Sequence, residues 1–265
     1  MLEGFYTAAS GVLMQERTLN VLANNMANIR TPGFRSERVI SNTFDQTLLI
    51  CRENGQDRLI GKGSPVRLVS DVATIYEETS LEETNRPFDM ALVGAGYFNI
   101  QASDGQTYLT RNGNFDVDEE GFLVLRGMGR VLGEEGPIEI GLSDRFTVDD
   151  DGTVKAADGT TIDKLLITDP MSGTNDAGAA TTAAGTAAPM TKYANGLYTV
   201  TDPEANLPAE GVRVYQKQLE RANLDLNREY TLVMEAQRTF QSCANALRTI
   251  DEINAKSAAQ IASIG

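Results

Sequence analysis

The stretch FYTAASGVLMQERTLNVLANNMANI, residues 5–29, decides how the chain is read. Phe5, Val12, Leu19 and Met26 recur at strict intervals of seven, and Ala8, Leu22 and Ile29 stand three places further on, with Gln15 the one polar exception. Such an a/d stripe is the seam of a helix that packs at a shallow angle on another. Asn20, Asn24, Asn25 and Asn28 fall within nine residues of the same stretch. Asparagine is a poor helix former, so this helix is marginal alone in water. Asn20, Asn24 and Asn28, at i, i+4 and i+8, lie along one face away from the stripe. That face is either a second interface or a solvated polar surface. Thr31-Pro32-Gly33 then predicts the end of the helix, because proline disfavours helical geometry at the residue before it.

The other end of the chain carries a matching pattern. Leu226, Val233, Phe240, Leu247 and Ile261 repeat at seven with Asn254 in the remaining slot. Ala236, Cys243, Ile250 and Ile264 take the companion positions, broken by Glu229 and Ser257. A lone asparagine at such a position fixes register at some cost in stability. Two readings are open: amphipathic helices flanking a globular core, or terminal helices that pair with each other.

Between these ends the chain reads as β-structure. Short β-prone runs at Met90–Val93, Tyr97–Gln101 and Thr107–Thr110 are punctuated by turn dipeptides, among them Asp104-Gly105, Asn112-Gly113, Glu120-Gly121, Asp151-Gly152 and Asp158-Gly159. The spacing suits a β-meander or small barrel. Residues 171–190 are small and polar without periodicity, as a flexible loop would be. The expected class is α+β: long N- and C-terminal helices pairing as a coiled-coil-like axial domain, with a central, mainly antiparallel β domain. The expected boundaries are 1–40 plus 212–265 for the helices, 41–85 for an extended arm, and 86–211 for the β domain.

Composition removes most chemistries. The 265 residues hold no histidine and only Cys51 and Cys243. Ser-His-Asp and Cys-His catalysis and every histidine-ligated metal site are therefore excluded. The net charge of −14 opposes contact with a phosphate backbone. It is concentrated in residues 41–211, net −16, whereas 1–40 and 212–265 are each net +1. Near-neutral ends around an acidic middle suggest ends that associate and a middle that stays solvated. The run Asp116–Gly121 opens like a calcium loop, but Gly127 stands where the bidentate glutamate belongs. Asp149-Asp150-Asp151-Gly152 reads likewise as a solvated turn. Gly94-Ala95-Gly96 has Asn99 in place of the third glycine of a dinucleotide fingerprint. Cys243 lies on the apolar stripe, and Cys51 beside Arg52 has no base to activate it. Arg30, Arg35 and Arg38 form a basic cluster that could face an acidic neighbour, an anionic wall polymer or solvent. No active site, metal site or cofactor site is expected. Neither is nucleic-acid binding, membrane insertion or a cleaved signal peptide.

Residues 7–35 (TAASGVLMQERTLNVLANNMANIRTPGFR) resemble the N-terminal signature of bacterial flagellar rod and hook proteins. The resemblance is carried by Ala9-Ser10-Gly11, Leu19-Asn20-Val21, Ala23-Asn24-Asn25, Ala27-Asn28 and Thr31 through Phe34. Residues 86–125 look like the family's central β-module, and Gln237-Arg238 followed by Asp251-Glu252 like its C-terminal region. The length excludes the larger hook protein, and Val131–Ile138 looks more like the proximal-rod than the distal-rod subunit. One departure concerns Gln216–Asn223: the family usually places glycine after the glutamine and serine before the asparagine, where this chain has Lys217 and Ala222.

The resemblance implies a structural subunit, not an enzyme. It would polymerise helically into the periplasmic driveshaft that carries torque to the hook, contacting copies of itself and other rod and hook-family subunits after passage through the flagellar type III export apparatus. A rod-associated wall-cutting activity is the alternative from another class, but no carboxylate pair stands out for it. The residues expected to form the assembly interface are Phe5, Val12, Leu19, Asn20, Leu22, Asn24, Met26 and Asn28 in the first helix, with Leu226, Val233, Gln237, Arg238, Phe240, Leu247, Ile250 and Asn254 in the last.

Overall fold

The computed structural model describes residues 2–43, 48–53, 56–62, 67–141, 145–170, 190–193, 196–200, 207–209 and 211–262. The predicted loop at 171–190 lies outside them save for Met190, as does Ile264. Two helices flank a mainly antiparallel β region, an α+β chain. It divides into two compact units. One comprises residues 1–27, 37–74 and 225–265, and the other comprises 28–36 and 75–224.

These boundaries depart from those read in the sequence. The expected arm at 41–85 contributes strands to the helical unit: Glu37–Thr43 pairs with Arg67–Thr74, and Leu48–Glu53 with Gln56–Lys62, both antiparallel. The segment 28–36, expected to belong with the helices, is part of the β unit. The first helix, α1 (Leu2–Ala27), stops four residues before Thr31. Asn28 sits in the turn beyond it, its carbonyl accepting from the Thr31 N–H at 3.0 Å. The last helix, α2 (Leu226–Ala262), starts on a side-chain cap. Asp225 Oδ1 accepts the N–H groups of Asn227 at 2.8 Å and Arg228 at 3.1 Å, two of the donors that a helix start leaves unpaired.

The β unit holds the strands that the turn dipeptides marked out. Tyr97–Ala102 pairs with Thr107–Thr110 on one side and with Gly129–Val131 and Ile167–Asp169 on the other. Residues Tyr97 through Ile100 are all buried, so this strand is covered on both faces. Phe98 and Ile100 point into the main core with Phe115, Leu123 and Val131, while Tyr97 joins Leu109, Met190 and Tyr198 on the opposite face. Asn99 shares that second face and donates to the Leu166 carbonyl at 2.9 Å and to Thr168 Oγ1 at 3.0 Å. A separate antiparallel meander runs through Phe146–Val148, Thr153–Ala156 and Thr161–Lys164. Gly113 is needed for another reason than its turn: a Cβ there would overlap the Met90 carbonyl, where the two backbones touch.

Lys217 is one of two described non-glycine residues with positive φ, at 62°. It occupies the position where the resemblance expected glycine. Its conformation is held by the Lys217 N–H donating to the Asp89 carbonyl at 2.7 Å and by the Thr84 N–H donating to the Lys217 carbonyl at 2.9 Å. A left-handed L-residue costs about 1–2 kcal/mol, and glycine loses roughly 0.5–1 kcal/mol more chain entropy on folding. Lys217→Gly is therefore expected to stabilise by roughly 0.5 kcal/mol, and Lys217→Val to destabilise by about 1–2 kcal/mol. Urea midpoints of the two variants measure both signs.

Candidate assembly surface

Within the helical unit α1 and α2 run antiparallel, and their contacts step by seven residues on each helix. A Cβ built on Gly4 would lie 3.7 Å from Ile250 Cδ1, and one built on Gly11 would lie 3.0 Å from Cys243 Sγ. Thr18 and Ala236 line one groove, and Asn25 Nδ2 lies 3.5 Å from Glu229 Oε2. The facing rows are thus Gly4, Gly11, Thr18 and Asn25 on α1, and Ile250, Cys243, Ala236 and Glu229 on α2. The α1 row is displaced by one residue from the Phe5–Val12–Leu19–Met26 stripe, whose members are half-buried. Two glycines on the facing row let the helix backbones approach closely, since interaxial distance follows side-chain size at the contact. The companion stripe on α2 is the contact row itself. Glu229, which looked like a break in it, is fully buried.

Burying a carboxylate requires partners. Arg38 grips both oxygens of Glu229, with Nη1 3.0 Å from Oε2 and Nη2 on Oε1. Asn25 completes the knot by donating to the Glu37 carbonyl at 2.9 Å and accepting the Glu37 N–H at 3.0 Å. The buried asparagine of α1 is therefore Asn25, which stood outside the predicted ladder. Asn20 and Asn24 are exposed on the helix, and Asn28 is half-buried beyond its end, so no continuous Asn20–Asn24–Asn28 row forms. The three arginines do not act as one basic patch. Arg38 is taken by Glu229 and Arg35 by Glu220, while Arg30 is exposed.

Among the remaining predicted interface residues, Leu22 is buried, and Val233, Phe240, Leu247 and Ile250 are half-buried. Leu226, Gln237, Arg238 and Asn254 are exposed. The helical unit also presents large apolar side chains that the heptad count passed over: Tyr6 (59% exposed), Leu13 (66%), Tyr230, Met234 and Ile253. Tyr6 and Leu13 are themselves seven apart, and Tyr230 and Met234 continue from Leu226 in steps of four, so each set lies on one helix face. A groove of about 290 Å³ opens where Met14, Thr18 and Leu22 of α1 meet Val39 and, on α2, Leu232 and Ala236.

The acidic turns are occupied internally. Asp116 is paired with Arg126, and Arg130 lies 3.0 Å from Asp118 and 2.5 Å from Glu120. Asp151 and Asp158 are held below the usual carboxylate range by accepting the N–H groups of Thr153 and Thr160. Among the described residues no cluster of three or more acidic or cysteine side chains could hold a metal ion. No described helix is long and apolar enough to cross a membrane.

Comparison with known proteins matches the same segments. The family model described as "Flagella basal body rod protein" matches residues 5–35, which cover α1 from Phe5 onward and the turn after it. That of the "Flagellar hook protein FlgE/F/G D1 domain" matches 91–156, and that of the "Flagellar basal body rod FlgEFG protein C-terminal" matches 215–261. The flagellar basal-body rod protein FlgG of Bacillus subtilis is 32% identical over 271 residues, covering 96% of this chain and 97% of its own. Rod protein FlgF of Caulobacter vibrioides is 26% identical with 100% of both chains covered. FlgG of Agrobacterium fabrum is 28% identical over 93% of this chain and 94% of its own.

Proposed function

Since the chain belongs to the family of bacterial flagellar basal-body rod proteins, we propose that it polymerises helically through α1 and α2 into the shaft that transmits torque to the hook. It is a structural protein of the flagellar basal body and not an enzyme. Its neighbours in the shaft are copies of itself and other rod and hook-family subunits, reached in the periplasmic space through the flagellar type III export apparatus. Within each subunit we read the seven-residue contact rows of α1 and α2 as a short antiparallel coiled coil, narrowed by Gly4 and Gly11. The observation that carries assembly is the exposure of Tyr6, Leu13, Leu226, Tyr230 and Met234 on a unit that already buries Val21, Leu22 and Ala236. Tyr6 with Leu13 on α1, and Leu226, Tyr230 and Met234 on α2, form two exposed apolar strips, and such surface on a folded unit supports a protein contact. Exposed Asn20 and Asn24 would supply amides to the same contacts.

Leu13→Asp and Tyr230→Asp test this reading. Both side chains are solvent-facing, so each change should alter stability of the isolated chain by no more than about 0.5 kcal/mol. Each would nonetheless place a charge in a dry subunit contact, at several kcal/mol. Basal-body yield is expected to fall at least tenfold, with loss of swimming, while circular dichroism is unchanged. Normal swimming in both variants would remove the helices from the assembly. Gold labelling along isolated rods reads the position of the subunit, and the resemblance of Val131–Ile138 predicts the proximal segment.

A further inference from the structure

The β unit is completed by a nine-residue piece of chain whose flanks, 1–27 and 37–74, both belong to the other unit. Within that piece, Gly33 through Ser36 are buried and held by residues distant in sequence. The Gly33 N–H donates to the Glu220 carbonyl at 2.8 Å. Lys192 lies over the Phe34 ring at 4.1 Å and donates to the Arg35 carbonyl at 3.0 Å. The Arg35 guanidinium, 1% exposed, meets Glu220 at 2.7 Å and donates to the Glu77 carbonyl. Asn223 accepts the Ser36 N–H at 2.6 Å, donates its amide to the Ile75 carbonyl at 2.7 Å, and donates its own N–H to the Phe34 carbonyl at 3.3 Å. Gly33 has φ 66°, and a Cβ there would overlap the Arg111 backbone.

These contacts have the features of a peptide-recognition site: main-chain hydrogen bonds along the segment, one apolar side chain sheathed, one arginine read by a buried carboxylate, and a glycine demanded by close approach. We propose that the β unit carries a slot for a peptide of the pattern Gly-Phe-Arg. In one molecule the chain's own residues 28–36 fill it, and the same residues of a second copy can fill it when the resident segment is displaced. This goes beyond the assembly reading and does not depend on it, because the slot residues lie outside α1 and α2.

The test uses the full chain carrying Gly33→Val, whose own segment cannot seat, and a fluorescein-labelled peptide of residues 28–36 (NIRTPGFRS). Saturable binding by anisotropy is expected for the variant and at least tenfold weaker binding for the wild-type chain, whose slot is filled. Peptides carrying Gly33→Val or Arg35→Ala should each bind at least tenfold more weakly than the unaltered peptide. Absence of binding to a Gly33→Val chain with wild-type circular dichroism would overturn the proposal, as would equal binding by the wild-type chain. If Gly33→Val does not fold, Phe34→Ala serves as the displaced chain. If that also fails to fold, residues 28–36 are an inseparable part of the core and the proposal is wrong.

Discussion

A Gly11→Cys chain, made with Cys51→Ser, is expected to form a disulfide with Cys243 on mild oxidation. A Cβ at position 11 would stand 3.8 Å from Cys243 Cβ and 3.0 Å from its sulfur. A Cβ···Cβ separation near 3.8 Å is the mean for natural disulfides, so the bond needs little backbone movement. It would close a loop of more than two hundred residues, and the chain-entropy argument gives about 5 kcal/mol for such a loop. A non-reducing gel should show a compact species that reverts with dithiothreitol, and the thermal midpoint of the helical unit should rise. Gly4→Cys paired with Cys243 is the control, because Gly4 faces Ile250 one repeat away. Equal cross-linking from positions 4 and 11 would mean that the helices slide, and the seven-residue register would be lost.

Removing the carboxylate of Glu220 is expected to be the most damaging single change in the β unit. Glu220 is 2% exposed and serves two buried guanidiniums, Arg35 at 2.7 Å and Arg111 at 3.5 Å. Burial already pushes Arg111 below its ordinary pKa, with the Glu220 charge opposing the shift. Carbonyls of Leu92 and Gly94 and the face of Tyr97 take up part of Arg111, but none of them carries a full negative charge. Glu220→Ala leaves two buried cations facing each other, and breaking a buried pair costs about 3–5 kcal/mol. Arg126→Ala, by contrast, removes an exposed arginine from Asp116 and should cost no more than about 1 kcal/mol. Urea unfolding of both variants measures the difference. Comparable losses would show that the buried cluster contributes no more than a surface pair.

Much of the fold was legible because turns and apolar runs have local signatures. The strands Met90–Val93 and Thr107–Thr110 have the bounds that their flanking turn dipeptides suggested. Asn54-Gly55 carries the same signal between Leu48–Glu53 and Gln56–Lys62, which pair antiparallel within the stretch expected to be an extended arm. On α1 the facing row lies one residue from the Phe5–Val12–Leu19–Met26 stripe for a specific reason. Counting apolar side chains cannot score Gly4 and Gly11, whose contribution is the absence of a side chain. Gln15 and Glu229 looked like interruptions, but Gln15 lines the groove beside Thr18 and Glu229 is satisfied by Arg38 and Asn25. Buried ionic contacts leave no periodic trace at all. Arg35, Arg111 and Glu220 are brought together only by tertiary structure, and each alone reads as a surface charge.

The strand Tyr97–Ala102 has side chains covered on both faces along Tyr97–Ile100 and neighbouring strands on both edges. Its backbone amides therefore have no route to solvent through a small local fluctuation. In deuterium exchange they would be the slowest in the β unit, opening only when that unit opens as a whole. The protection of Ile100 then reports the full unfolding free energy of the unit, whether the molecule is free or part of a larger assembly.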